Sequence, residues 1–93
     1  MIVSVKDKRV AALMAGNLPA RFPPDLVRAA QKAIRALEVA WTLDELRIPP
    51  SNRLEALRGD RQGQWSIRIN RQWRLCFRWT GHAFEDVEIA DYH

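Results

Sequence analysis

An α+β fold, with N-terminal helices packed on one face of a curved antiparallel β-sheet, is predicted by two observations on this 93-residue chain. The hydrophobic period changes once, near residue 50, from the spacing of an α-helix to the two-residue alternation of β-strands. The strand-forming half consists of short segments joined by short turns, which pair as an antiparallel meander. Helices first and strands after place the helices over one sheet face. The length fits one domain over residues 1–93 with a single apolar core. No internal repeat or linker divides it.

A first short helix is expected over about 6–15, with Val10, Leu13 and Met14 inward. Gly16-Asn17 ends it, because both tolerate the left-handed conformation of a C-terminal cap. The second helix is expected over about 24–39. Leu26, Ala30, Ala33, Ile34 and Leu37 fall on one helical stripe, and Pro23-Pro24-Asp25 supplies a start signal with an acid near the positive end of the helix dipole. Trp41 to Leu46 adds one helical turn. Ile48-Pro49-Pro50-Ser51-Asn52 is a connector, since proline disfavours helical geometry at the residue before it.

Beyond the connector, Trp65, Ile67 and Ile69 share one face of a strand, with Ser66, Arg68 and Asn70 on the other. After a turn at Asn70-Arg71-Gln72, Trp73, Leu75, Phe77 and Trp79 repeat the alternation, leaving Arg74, Cys76 and Arg78 opposite. Thr80-Gly81-His82 turns into a last strand over roughly 83–90, with Val87 and Ile89 inward. Further strands near Arg53–Leu57 and Ile2–Val5 flank the meander. The three tryptophans belong to the core, since they share a face with Ile67, Leu75 and Phe77. Arg68, Arg74 and Arg78 then emerge together as a basic stripe on an exposed sheet face.

Composition excludes several classes. Apolar residues make up 47% and charged residues 28% of the chain, and Gly and Pro number four and five, which rules out disorder and low complexity. No apolar run reaches the length of a membrane helix and the first residues carry no secretory pattern, so a soluble, cytoplasmic protein without membrane contact is expected. A lone cysteine, Cys76, forbids an internal disulfide, and no zinc spacing is present. The expectation is a protein with no metal and no cofactor.

The net charge of +4 is unevenly spread. Residues 47–79 hold eight arginines, no lysine, and only Glu55 and Asp60 as acids. Residues 80–93 reverse the sign with Glu85, Asp86, Glu88 and Asp91. Clustered arginine is the footprint of a polyanion partner, because guanidinium stays charged and grips phosphate through two parallel hydrogen bonds. A solvated face whose arginines pair with the acidic last strand accounts for the same composition.

The stretch Arg53-Leu-Glu-Ala-Leu-Arg-Gly-Asp-Arg61, then Gln62-Gly-Gln-Trp-Ser-Ile-Arg-Ile-Asn70, Gln72-Trp-Arg-Leu75 and the terminal Asp91-Tyr92-His93 resemble the HigB toxins of bacterial type II toxin-antitoxin modules, within the RelE/ParE superfamily. The match covers roughly residues 48–93. The Asn-Arg-Leu-Glu-Ala-Leu and Gln-Trp-Arg-Leu-Cys-Phe stretches look most like the GraT-type subgroup. The resemblance implies a RelE/ParE-like fold and ribosome-dependent cleavage of messenger RNA without metal. It implies a helix-turn-helix antitoxin (HigA/GraA-like), the ribosome and mRNA as partners, and operator DNA reached only through the antitoxin.

Metal-free RNA cleavage needs a base for the 2′-hydroxyl proton, a cation for the charge on pentavalent phosphorus, and an acid for the leaving 5′-oxygen. By resemblance, Arg74 matches the arginine of the family's Trp-Arg motif and is the cation. Asp91, Tyr92 and His93 match the terminal triplet from which acid and base are drawn, and a histidine is the natural proton carrier near neutral pH. Arg58 matches a basic position before Gly-Asp-Arg, and Arg58, Arg61, Arg68 and Arg78 are the RNA-binding candidates. One departure stands out: several HigB toxins carry histidine where this chain has Glu55, which removes a candidate base, although a desolvated glutamate could serve in its place. Three alternatives stay open. They are a toxin that impairs ribosome function or assembly with little cleavage, a ParE-like gyrase-binding inhibitor that does not need His93, and a plain RNA-binding module.

Overall fold

The computed structural model describes residues 1–91. Two helices, α1 (Lys8–Met14) and α2 (Val27–Val39), precede four strands, β1 (Glu55–Ala56), β2 (Trp65–Arg68), β3 (Trp73–Trp79) and β4 (Phe84–Asp91). The strands form one antiparallel sheet in sequence order. The α+β fold expected from the periodicity is the one observed. The flanking strand expected at Ile2–Val5 is reduced to two isolated parallel bridges along β4, Ile2 to Phe84 and Val5 to Val87.

Asp7 starts α1. Its Oδ1 accepts from the backbone N–H of Arg9 at 2.9 Å, and its Oδ2 accepts from the backbone N–H of Ile89 at 3.0 Å. The Arg9 guanidinium grips both carboxylate oxygens and donates to the Ile89 carbonyl at 2.8 Å, so one ion pair ties the helix start to β4. Burial alone would raise the pKa of Asp7. The hydrogen bonds from the Arg9 side chain and from the Arg9 and Ile89 backbone outweigh it, and the carboxyl is held below its ordinary range. At the other end Gly16 adopts φ +83°, and the Asn17 and Gly16 N–H groups reach back to Ala12 and Leu13 carbonyls, closing the helix as its Gly-Asn signal predicts.

Pro24–Leu26 form a separate 3₁₀ turn ahead of α2, where the sequence suggested one continuous helix. Two successive prolines remove two backbone N–H donors, and the first turn tightens in response. Ala30, Ala33, Ile34 and Leu37 of α2 are buried against the sheet with Val10, Leu13, Ile67, Leu75, Phe77, Phe84, Val87 and Ile89. The turn expected at Trp41–Leu46 is a 3₁₀ turn over Asp44–Arg47, and Trp41 is exposed. Trp65, Trp73 and Trp79 pack on the rim of the core and are only partly buried, because they are too large to fit beneath two short helices.

A β-bulge lies in β4. Cys76 pairs with Glu88 and Arg78 with Glu85, so Asp86 and Val87 together oppose Phe77. Asp86 takes φ +54° there, and its N–H donates to Ser4 Oγ at 2.9 Å. The extra residue lets Phe84 and Val87, three apart, both face the core, which strict alternation forbids. Phe84 meets Phe77 edge to face, with ring centroids 5.1 Å apart.

The far face of the sheet is not an open stripe. The backbone at Arg53, ahead of β1, reaches Arg74 on it, and Leu57, just after β1, makes a second small apolar cluster there with Cys76 and Ala90. Cys76 is fully buried, and burial pushes its thiol pKa up. A packing role suffices for it.

Candidate functional site

Arg74 stands in this far face on β3, with β2 between it and β1, and it is 9% exposed. The expectation of an exposed arginine is corrected here. Its Nε donates to Ser66 Oγ at 2.6 Å and its Nη2 to the Arg53 carbonyl at 2.6 Å. Arg53 takes φ +47°, a left-handed backbone that turns the chain over Arg74. Glu55 Oε1 lies 3.6 Å from Arg74 Nε, and the Glu55 side chain is 49% exposed. Glu55 therefore sits beside the buried arginine while about half of its own side chain stays in solvent.

Around Arg74 lies a cavity of about 250 Å³ lined by Arg53, Arg68, Asn70, Arg71 and Arg74. Arg68 and Arg74 are direct cross-strand partners in the β2–β3 register. Like charges facing each other across a sheet destabilise it. An anion between them would reverse that cost. The β2–β3 turn is set by Asn70, whose Oδ1 accepts from the N–H groups of Gln72 and Trp73 at 2.9 and 2.8 Å, and this places Arg71 at the pocket rim. Sequence reasoning passed over Arg53, Asn70 and Arg71 as pocket residues. The Asx-turn pattern Asn-x-Gln-Trp was a usable signal for the turn, but nothing local marked the fold-back at Arg53.

The remaining arginine candidates are placed elsewhere. Arg61 forms an ion pair with Glu88 and a hydrogen bond to Gln64, and Arg78 lies 3.8 Å from Asp86. Both belong to the opposite end of the face, where acids of β4 pair with them. Arg58 is exposed at the end of β1 and does not line the pocket. Asp91 ends β4, opposite Trp73 in the register, and its Oδ2 accepts from Gln72 Nε2 at 3.1 Å. The carboxylate is thus one strand from Arg74, whose own partner in β4 is Ala90. Tyr92 and His93 lie outside the described residues. Among the described residues, no group of three or more His, Cys, Asp or Glu side chains is placed to hold a metal, and no helix is long and apolar enough to cross a membrane.

Two short helices over a four-stranded antiparallel meander, with arginines gathered on the far face, define a protein of the RelE/ParE architecture. A YoeB/ParE toxin from Agrobacterium tumefaciens shares the fold with a TM-score of 0.56 and 19% identity, covering 99% of this chain and 98% of that one. Residues 6–93 match the HigB-like toxins, described as the RelE-like toxin of the type II toxin-antitoxin system HigB, and the chain belongs to that family. Toxin HigB-1 of Vibrio cholerae is 36% identical over 81 residues, covering 86% of this chain and 85% of its own. Endoribonuclease HigB of Proteus vulgaris is 29% identical over the full length of both chains. Membership of a type II toxin family brings with it an antitoxin partner.

Proposed function

We propose that this toxin cleaves messenger RNA on the ribosome by metal-independent transesterification at the arginine pocket, and that a helix-turn-helix antitoxin restrains it. The observation that carries this reading is the cross-strand pair Arg68 and Arg74, set in a pocket with Arg53 and Arg71 and beside Glu55. Such a pocket suits one phosphodiester. Arg74, oriented by Ser66 and the Arg53 carbonyl, neutralises the charge that develops on phosphorus. Arg68 and Arg71 hold the flanking backbone.

A base takes the proton of the 2′-hydroxyl, the 2′-oxygen bonds to phosphorus, and the bond from phosphorus to the 5′-oxygen breaks. An acid protonates that oxygen, leaving a 2′,3′-cyclic phosphate and a free 5′-hydroxyl. Glu55 and His93 are the proton acceptor and donor in this scheme, with Tyr92 and Asp91, the last residue of β4, as supporting groups. Arg58 contacts RNA from outside the pocket. The pairing of Arg61 and Arg78 with acids leaves them a minor part.

The test is cleavage of messenger RNA on purified ribosomes by the parent, Glu55→Gln and His93→Gln proteins. Loss of cleavage in both, with ribosome binding kept, supports the scheme. Growth arrest that persists in both variants, with no cleaved message, replaces it with a toxin that blocks the ribosome by binding.

A further inference from the structure

A second, larger hollow adjoins the arginine pocket and shares Arg68, Asn70 and Arg71 with it. It holds about 430 Å³, within the range of roughly 300–1,000 Å³ typical of small-ligand clefts. Ala29, Ala33 and Ala36 of α2 form one wall, spaced on a single helical stripe, with Lys32 between them. Ile48-Pro49, Asn52 and Ile69 add to the lining. The walls are apolar and the rim is basic.

Two rim amides have one end spent and one unspent. Asn52 Nδ2 donates to the Leu46 and Ile48 carbonyls at 3.1 and 3.4 Å, which leaves its Oδ1 as an acceptor with no intramolecular partner among the described residues. Asn70 is the converse. Its Oδ1 serves the two turn N–H groups, and its Nδ2 donors have no such partner. An acceptor and a donor on one rim above an aliphatic surface are what the edge and face of a nucleobase require. Ile48 is 77% exposed and lines the hollow, so its aliphatic surface is available to a ligand there.

We propose that this hollow seats the base of a nucleotide adjoining the phosphate held by Arg53, Arg68, Arg71 and Arg74. The arginine pocket grips backbone and carries no sequence information, whereas the hollow discriminates among bases. The inference rests on the RNA reading above. The occupant is a nucleoside of a polyanionic strand because the hollow shares Arg68, Asn70 and Arg71 with the arginine pocket and its own lining adds Lys32.

The experiment measures binding of the full chain to fluorescent 2′-O-methyl hexanucleotides of A, C and U, and to an abasic hexanucleotide of equal charge. The 2′-O-methyl group removes the nucleophile, so binding is read without cleavage. The parent should hold at least one base-bearing strand more tightly than the abasic strand. Ile48→Ser and the groove-filling Ala29→Leu should each weaken base-bearing strands about fivefold, the scale of one or two buried methylenes, and leave the abasic strand unchanged. Arg71→Ala should weaken all strands alike. If base-bearing strands bind both groove variants as they bind the parent while Arg71→Ala still weakens everything, the hollow is no base site and the proposed function stands. If no strand binds the parent at low salt, the RNA reading falls and the base site falls with it.

Discussion

The two ends of the sheet's far face are built from the same residue types and end in opposite electrostatic states. At one end, Arg61 and Arg78 meet Glu88 and Asp86. At the other end, Arg53, Arg68 and Arg71 line a pocket with Arg74, Glu55 lies beside Arg74, and no ion pair engages Arg53, Arg68 or Arg71 among the described residues. Arginine count is therefore a poor guide to where a polyanion sits. What matters is which arginines the fold has already neutralised.

The largest effect expected from this contrast is at Arg74. Arg74→Lys keeps the charge and loses the fork that serves Ser66 and Arg53, so cleavage should fall by about 10²–10³, as for removal of an oxyanion-hole donor. A lysine variant that folds and cleaves like the parent would show that charge alone suffices there.

Next in size is RNA affinity. Arg68→Ala and Arg71→Ala should each reduce the slope of log affinity against log salt by about 0.7, the value for one single-strand phosphate contact, whereas Arg61→Ala and Arg78→Ala should leave it unchanged. Equal slopes for all four variants would erase the distinction between the two ends.

A smaller effect concerns stability. Asp7→Ala should cost about 1 kcal/mol in denaturant unfolding through loss of the α1 cap. Because the folded pKa of Asp7 lies below its unfolded value, its contribution is fully present above the unfolded pKa and is lost as pH falls through the folded one. The parent should therefore lose stability below the ordinary aspartate range more steeply than Asp7→Asn does, and parallel acid profiles would contradict the assignment. Smallest of all, Arg47→Ala should change stability by less than about 0.5 kcal/mol, since its partner Asp44 is 85% exposed.

Much of this architecture was legible because it depends on periodicity and local caps. The stripe through Ala30, Ala33, Ile34 and Leu37, the Gly16 stop, and the alternation through Leu75 and Phe77 all act over a few residues. The β4 bulge was not legible, since it answers to Ser4, 82 positions away. The burial of Arg74 was missed for the same kind of reason: alternation assigns a face, and only the tertiary fold-back at Arg53 decides whether that face is open. In the site, Arg68 and Arg74 followed from strand spacing, while Arg53 and Arg71 came from loops that no period describes.

The bridges from Ile2 and Val5 to β4 close the fold through contacts far apart in sequence. β4 is bordered by β3 on one side and by residues near the N-terminus on the other, and the bonds of Ser4 and Asp7 to Asp86 and Ile89 each span 82 positions. Such distant contacts form late, after the helices and the β2–β3 hairpin can already exist. A chain still on the ribosome and lacking β4 carries the arginine hairpin but not Asp91 or the strand that Asp7 grips. Assembly of the pocket's neighbourhood thus waits for the last strand, and nascent chains arrested before residue 84 should be cut by proteases within α1 while chains carrying β4 resist.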